Sequence, residues 1–208
     1  HPEQGFGDTI MCCRFIQFLE DRGARLTFAV QPALASVMKT LESPAKLITV
    51  GEDLKGIDLH VPLMSLAHIT YDQWVNAPAP GSYLQVPSEA QHKWTKDLGL
   101  SSNMRVGFVC SGNPKHLSDA VRSLNMATFL DALPNGPEYH LLQKDLRETD
   151  VAAIKGRKDI IRHDSDIVDF ADTAALCSLM DIVVSVDTSV VHLAGAIGSR
   201  TMLMLPWW

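Results

Sequence analysis

The stretch Asp181-Ile182-Val183-Val184-Ser185-Val186-Asp187-Thr188-Ser189-Val190-Val191-His192-Leu193-Ala194-Gly195-Ala196-Ile197-Gly198-Ser199-Arg200-Thr201-Met202-Leu203-Met204-Leu205 contains a complete β-α-β unit. Asp181 to Val186 and Thr201 to Leu205 are strands whose apolar runs, Ile182-Val183-Val184 and Met202-Leu203-Met204-Leu205, suit burial on both faces. Between them, Asp187, Thr188 and Ser189 are short oxygen-bearing residues that open a helix over Ser189 to Ile197. Going back toward the N-terminus, the same alternation repeats. Strands are expected at Arg105 to Cys110, Tyr139 to Gln143 and Asp159 to Arg162, with helices at Met126 to Leu133, near Thr149 to Lys155, and at Thr173 to Met180. Five strands separated by helices require right-handed crossovers and a parallel sheet covered on both faces.

The first half follows the same rhythm less regularly. A helix starts near Asp8-Thr9, with Ile10, Phe15, Phe18 and Leu19 along one face, and Gly23 ends it. Leu26 to Val30 and Lys46 to Val50 read as strands flanking a helix at Ala33 to Leu41. A further short strand is expected at Ile57 to Val61, with a helix opening at Pro62. Asn76 to Ser82, rich in Pro and Gly, reads as a loop. A helix over Ser88 to Leu98 ends at Gly99, and Ser101-Ser102-Asn103 marks the best boundary. The fold class is therefore α/β, two Rossmann-like parallel-sheet halves, 1–100 and 101–208. The chain opens as though leaving a strand and stops just after one, so a fold truncated at both ends is expected.

With 208 residues, 46% hydrophobic and 20% charged, a sizeable core is available. A net charge of −6 without basic runs argues against a nucleic-acid surface. Cys12, Cys13, Cys110 and Cys177 show neither metal nor disulfide-framework spacing and read as buried thiols of a reducing compartment. No apolar run approaches the ~20 residues of a membrane span, and no signal pattern opens the chain. A soluble, cytoplasmic protein is expected.

In open parallel sheets ligands bind beyond the carboxyl ends of the strands. Four loops there are rich in polar groups. At Asp187-Thr188-Ser189 the free N–H groups and positive dipole end of the next helix suit a diphosphate, with the Thr188 and Ser189 hydroxyls as further donors. His192 lies three residues on, on the same face as Ser189. The plainer alternative is an N-cap followed by a core-facing histidine. The long loop Cys110 to Ser123 presents Asn113, Lys115, His116 and Arg122, whose cations suit the charge of a departing phosphate, or simply face water. Lys144 follows the strand ending at Gln143 and reads as a phosphate contact or a surface lysine. Glu3-Gln4-Gly5-Phe6-Gly7-Asp8-Thr9 carries two glycines that permit close backbone approach. It lacks the dinucleotide fingerprint, since Ile10 stands where a third glycine belongs. Asp8 there is either a general base or the cap of its own helix. Asp164-Ser165-Asp166 has a metal-holding DxD form that occurs in many loops, and the histidines show no HxH or HExxH spacing. No metal site is indicated.

Five segments occur in one order: Glu3 to Thr9; Asp58-Leu59-His60-Val61-Pro62-Leu63-Met64-Ser65-Leu66; Ser111-Gly112-Asn113-Pro114 with Arg122-Ser123-Leu124; Asp169-Phe170-Ala171-Asp172-Thr173-Ala174-Ala175-Leu176; and Ser185 to Ala196. Together they resemble the glycosyltransferase domain that follows tetratricopeptide repeats in bacterial proteins, related to the ADP-heptose lipopolysaccharide heptosyltransferases of glycosyltransferase family 9. The resemblance implies a glycosyltransferase B-type fold, with an inverting, metal-independent and cofactor-free transfer from a nucleotide-diphosphate sugar. The acceptor would be a saccharide, a lipid-linked sugar or a protein, and the parent chain would carry repeats upstream. Asp8 matches the catalytic base, and Asp187, Thr188 and His192 match the donor-phosphate motif. Asp172, Thr173 and Lys144 match positions near the donor. The donor set is thus Asn113, Lys115, His116, Arg122, Lys144, Asp172, Thr173, Asp187, Thr188, Ser189 and His192, and the acceptor side Gln4, Gly5, Gly7 and His60. The rival readings are a nucleotide-sugar epimerase or hydrolase, and a binding module that has lost catalysis.

Overall fold

A computed structural model describes residues 1–76 and 81–206; Ala77 to Pro80 of the expected loop, and the final Trp207-Trp208, lie outside them. The first half runs α1 (Phe6–Cys12), a 3-10 turn (Cys13–Phe15), α2 (Ile16–Glu20), β1 (Thr27–Val30), α3 (Ala35–Met38) and β2 (Lys46–Thr49). It continues with α4 (Ser65–Ile69), α5 (Tyr71–Trp74) and α6 (Ser88–Leu98). The second half comprises β3 (Arg105–Val109), α7 (Asp119–Arg122), α8 (Met126–Asp131), β4 (Glu138–Leu141), α9 (Glu148–Ile154) and β5 (Ile160–Arg162). It closes with α10 (Phe170–Ser178), β6 (Ile182–Val186), α11 (Ser189–Ala196) and β7 (Thr201–Met204).

β1 and β2 form a parallel pair, and the other strands form one sheet in the order β5-β4-β3-β6-β7, every pairing parallel. All five strands anticipated in the second half are present. Central β3 is buried along Val106 to Val109, and its Gly107 is dictated by packing: a Cβ there would stand 2.5 Å from Leu142 Cδ1 and 2.8 Å from Met180 Cγ. The strand expected at Ile57 to Val61 does not form. Instead of a ladder, the segment ties to the chain's start: the His1 ammonium donates to the Val61 carbonyl at 3.1 Å, and Leu63 N–H donates to the His1 carbonyl at 2.8 Å. Ile57 and Leu59 face solvent, so the apolar alternation that suggested a strand finds no sheet face to cover.

The described residues form three buried apolar clusters. The first joins Ile10, Cys13 and Leu84 of the first half to Ala174, Leu193 and Ala196 of the second, all at most 1% exposed. The halves therefore meet through buried carbon. α6 lies against α10, where the Trp94 indole N–H donates to Asp172 at 2.8 Å. The four cysteines are free and buried; burial pushes the Cys12 thiol up to about 11 and those of Cys110 and Cys177 to about 12. No helix among the described residues is long and apolar enough to cross a membrane.

Candidate functional site

From β3 the chain moves outward through β4 and β5, then returns to the other side of β3 for β6 and β7. The crevice above the carboxyl ends of β3 and β6 is thus the topological switch point, where open α/β sheets bind ligands. The loops that leave these two strands meet there. A Cβ on Gly112 would lie 2.8 Å from Arg122 Nη2 and 3.3 Å from Thr188 Cγ2. Arg122 Nη1 donates to the Asp187 carbonyl at 3.0 Å, while its Nε is buried with no partner among the described residues.

Thr188, in extended conformation, precedes α11, and its hydroxyl does not cap the helix but lies 3.2 Å from Ser185 Oγ. The first-turn N–H groups of α11 are therefore not taken by that side chain, and they remain donors for an anion. His192, one turn along, stands 3.4 Å from Asp187 through Nε2 and Oδ1.

The first half completes the crevice. α1 packs along α11, and the two approach so closely at Gly7 that a Cβ there would be 2.8 Å from His192 Cδ2 and 3.5 Å from Ser189 Cα. Asp8 is the neighbouring residue; its Oδ2 accepts the Gly5 N–H at 3.0 Å. The entry loop is held from behind, Gln31 donating to the Gln4 carbonyl at 3.2 Å and accepting from Thr9 Oγ1 at 3.0 Å. Phe6 and Phe170 meet edge to face at 5.1 Å, and Ser36 donates to Asp169 at 2.6 Å, both bridging the halves.

Gly7, Arg122, Asp187, Thr188, Ser189 and His192 are thus brought together, with Asp8 adjoining them. The others are placed differently. Asn113, Lys115 and His116 lie exposed on the β3–α7 loop, Asn113 Oδ1 accepting from Lys115 N–H at 2.9 Å and His116 Nδ1 from Ser118 N–H at 3.1 Å. Lys144 donates to the Val168 carbonyl. Asp172 is buried and turned toward α6, accepting from Lys93 at 2.9 Å, Trp94 at 2.8 Å and Val168 N–H at 2.8 Å. Burial alone would raise its pKa, but those three donors outweigh it and hold the carboxyl below the usual range. Thr173 is buried beside it, bonded to the Asp169 carbonyl. His60 is exposed near His1, 3.4 Å between ring nitrogens. Among the described residues no three His, Cys, Asp or Glu side chains group as metal ligands. Arg147 and Asp150 brace the loops from below and were not singled out in the sequence, because Asp119, Ser123 and Ser111, which they hold, lie 24 to 39 residues away.

No protein-family model matches the chain, and no curated protein does. Solved structures do resemble it. The Escherichia coli heptosyltransferase WaaC with ADP matches at TM-score 0.58 and 11% identity over 96% of this chain and 84% of that one. The E. coli ADP-heptose LPS heptosyltransferase II matches at 0.55 and 14% identity, over 95% and 81%. A glycosyl transferase family 9 protein from Veillonella parvula matches at 0.61 and 10% identity, over 97% and 83%. The chain therefore carries the two-part parallel α/β fold seen in the heptosyltransferases and the family 9 glycosyl transferase.

Proposed function

We propose that the protein is an inverting, metal-independent glycosyltransferase that moves a sugar from a nucleoside diphosphate to an acceptor hydroxyl. The observation that carries this reading is the contact of Gly7 with His192, which sets the start of α1, with its carboxylate Asp8, against the start of α11 at the switch point. On this reading residues 101–208 bind the donor and residues 1–100 the acceptor. The diphosphate rests on the α11 N–H groups beside Thr188, Ser189 and His192, and Arg122 faces it from the β3–α7 loop with Lys115, His116 and Asn113. Preorganised N–H groups and cations of this kind meet the charge that develops on the leaving group. Lys144, Asp172 and Thr173 border the nucleoside, and Gln4, Gly5 and His60 the acceptor. Asp8 takes the hydroxyl proton as the anomeric carbon is attacked from the side opposite the diphosphate. An ADP-linked sugar is the first donor to test, because two of the similar structures are named for ADP or ADP-heptose. The reaction runs in the cytoplasm, on a saccharide, lipid-linked or protein acceptor, in a longer parent chain with tetratricopeptide repeats.

A second reading has one observation behind it. The hydrogen bond from Gly5 N–H makes Asp8 the brace of its own helix, which suits a module that binds nucleotide sugars without transferring them. Release of nucleoside diphosphate from a donor panel, with and without acceptor, separates the two. Asp8→Asn is expected to cut turnover about 10²–10⁴-fold while donor affinity stays within a few-fold. Undiminished turnover removes Asp8 from the role, and donor binding without any turnover in the parent protein selects the module.

A further inference from the structure

The loop from β3 to α8 is long and polar, yet its base is fixed. Arg147, just before α9, directs Nη2 into it, 2.8 and 2.7 Å from the two Asp119 oxygens, 3.1 Å from the Gly112 carbonyl and 3.1 Å from Ser123 Oγ. Ser123 Oγ in turn donates to Asp119 at 2.8 Å and accepts from Gly112 N–H at 3.3 Å. Both polar groups of the Gly112 backbone are thereby held, and Gly112 is the residue that stands against Arg122 and Thr188. Asp119 is only 8% exposed, so Arg147 takes the place of water as its hydrogen-bond partner.

Arg147 is itself anchored. Its N–H donates to Asp150 Oδ2 at 3.2 Å, and the same oxygen accepts from Gln143 at 2.8 Å and from Ser111 at 3.2 Å. Gln143 Oε1 accepts from Ser111 N–H at 3.1 Å. The loops leaving β3 and β4 are therefore joined by one continuous polar network. A cavity of about 190 Å³ adjoins this network, with Ser123, Leu124, Met126, Arg147, Thr149 and Asp150 in its lining.

We propose that the Arg147–Asp119 pair is a positioning lock: it sets the wall of the crevice formed by Gly112 and Arg122 without itself touching the donor. This rests on the donor reading above, in which that wall faces the diphosphate. Arg122 passes the constraint on, since it holds the Asp187 carbonyl.

The test uses ADP as probe, with UDP, GDP and CDP beside it, in calorimetric titrations of the whole chain. Arg147→Met and Arg122→Met are each expected to weaken binding about tenfold, the scale of one hydrogen bond to a charged group. The double variant should then bind no more weakly than Arg122→Met alone, because Arg147 acts on the donor through Arg122. Unchanged affinity in Arg147→Met, or losses that simply multiply, overturns the lock. Should Arg147→Met not fold, Asp119→Asn keeps the shape, removes the charge, and is held to the same outcomes. If the parent protein binds none of the four diphosphates, the donor reading fails, and amide exchange then judges the lock alone. Faster exchange from Gly112 to Arg122 in the variant supports it, and unchanged exchange overturns it.

Discussion

Gly7 shows how much of the site depends on an absent atom. Its place in the Gly5-Phe6-Gly7 run is plain in the sequence, and two glycines suggest a close approach; that the approaching group is His192, 185 residues on, is not. Gly7→Ala would put a Cβ 2.8 Å from the His192 ring, and the ring, 3.4 Å from Asp187, would swing away. Nucleoside diphosphate affinity is expected to fall about tenfold with the melting temperature changed by a few degrees at most, read by titration and thermal melting. Unaltered affinity would show that the contact is only packing. Asp172 illustrates the opposite limit of sequence reading. A carboxylate in the first turn of a helix looks the same whether it faces a ligand or a lysine and indole 79 and 78 residues earlier.

At the scale of elements, the strands were the most legible. β3 and β6 lie inside a parallel sheet and show as near-continuous apolar runs; β7 shows one too, but it stands at the sheet's edge with Met202 and Leu203 exposed rather than covered on both faces, and Ile57 to Val61 alternates without forming a strand. The four-residue α7 left no periodic trace, being shorter than any repeat that would reveal it. β3 also predicts its own weakness. Gly107→Ala forces a methyl against Leu142 and Met180, both buried and without room to retreat. The expected loss is about 1–3 kcal/mol in urea unfolding, with the slope of the transition unchanged. A neutral substitution would mean that the sheet spacing around β4 is looser than the structure shows.

For the molecule as a whole, acid is the informative stress. His140 and His163 are buried and stacked, 3.0 Å between Nδ1 and Nε2, under the edge of Trp94. Burial, then the neighbouring imidazole and Arg105, lower His140 to about 4 against the weak pull of Glu138, and burial also lowers His163. Both rings are thus neutral when folded, while the unfolded chain takes up protons near the ordinary histidine value. Stability from this pair is complete above about pH 6.5 and is lost as pH falls toward 4, on the order of 3 kcal/mol for His140. Chemical denaturation across that window should show the slope, and His140→Asn should flatten it; an unchanged slope would assign the acid loss to carboxylates instead. The apolar cluster that runs from Ile10 through Leu84 to Leu193 and Ala196 has a different consequence. Parting the halves would expose this interior to water, so a swing between them is expected to be costly and movement of the loops the cheaper way in.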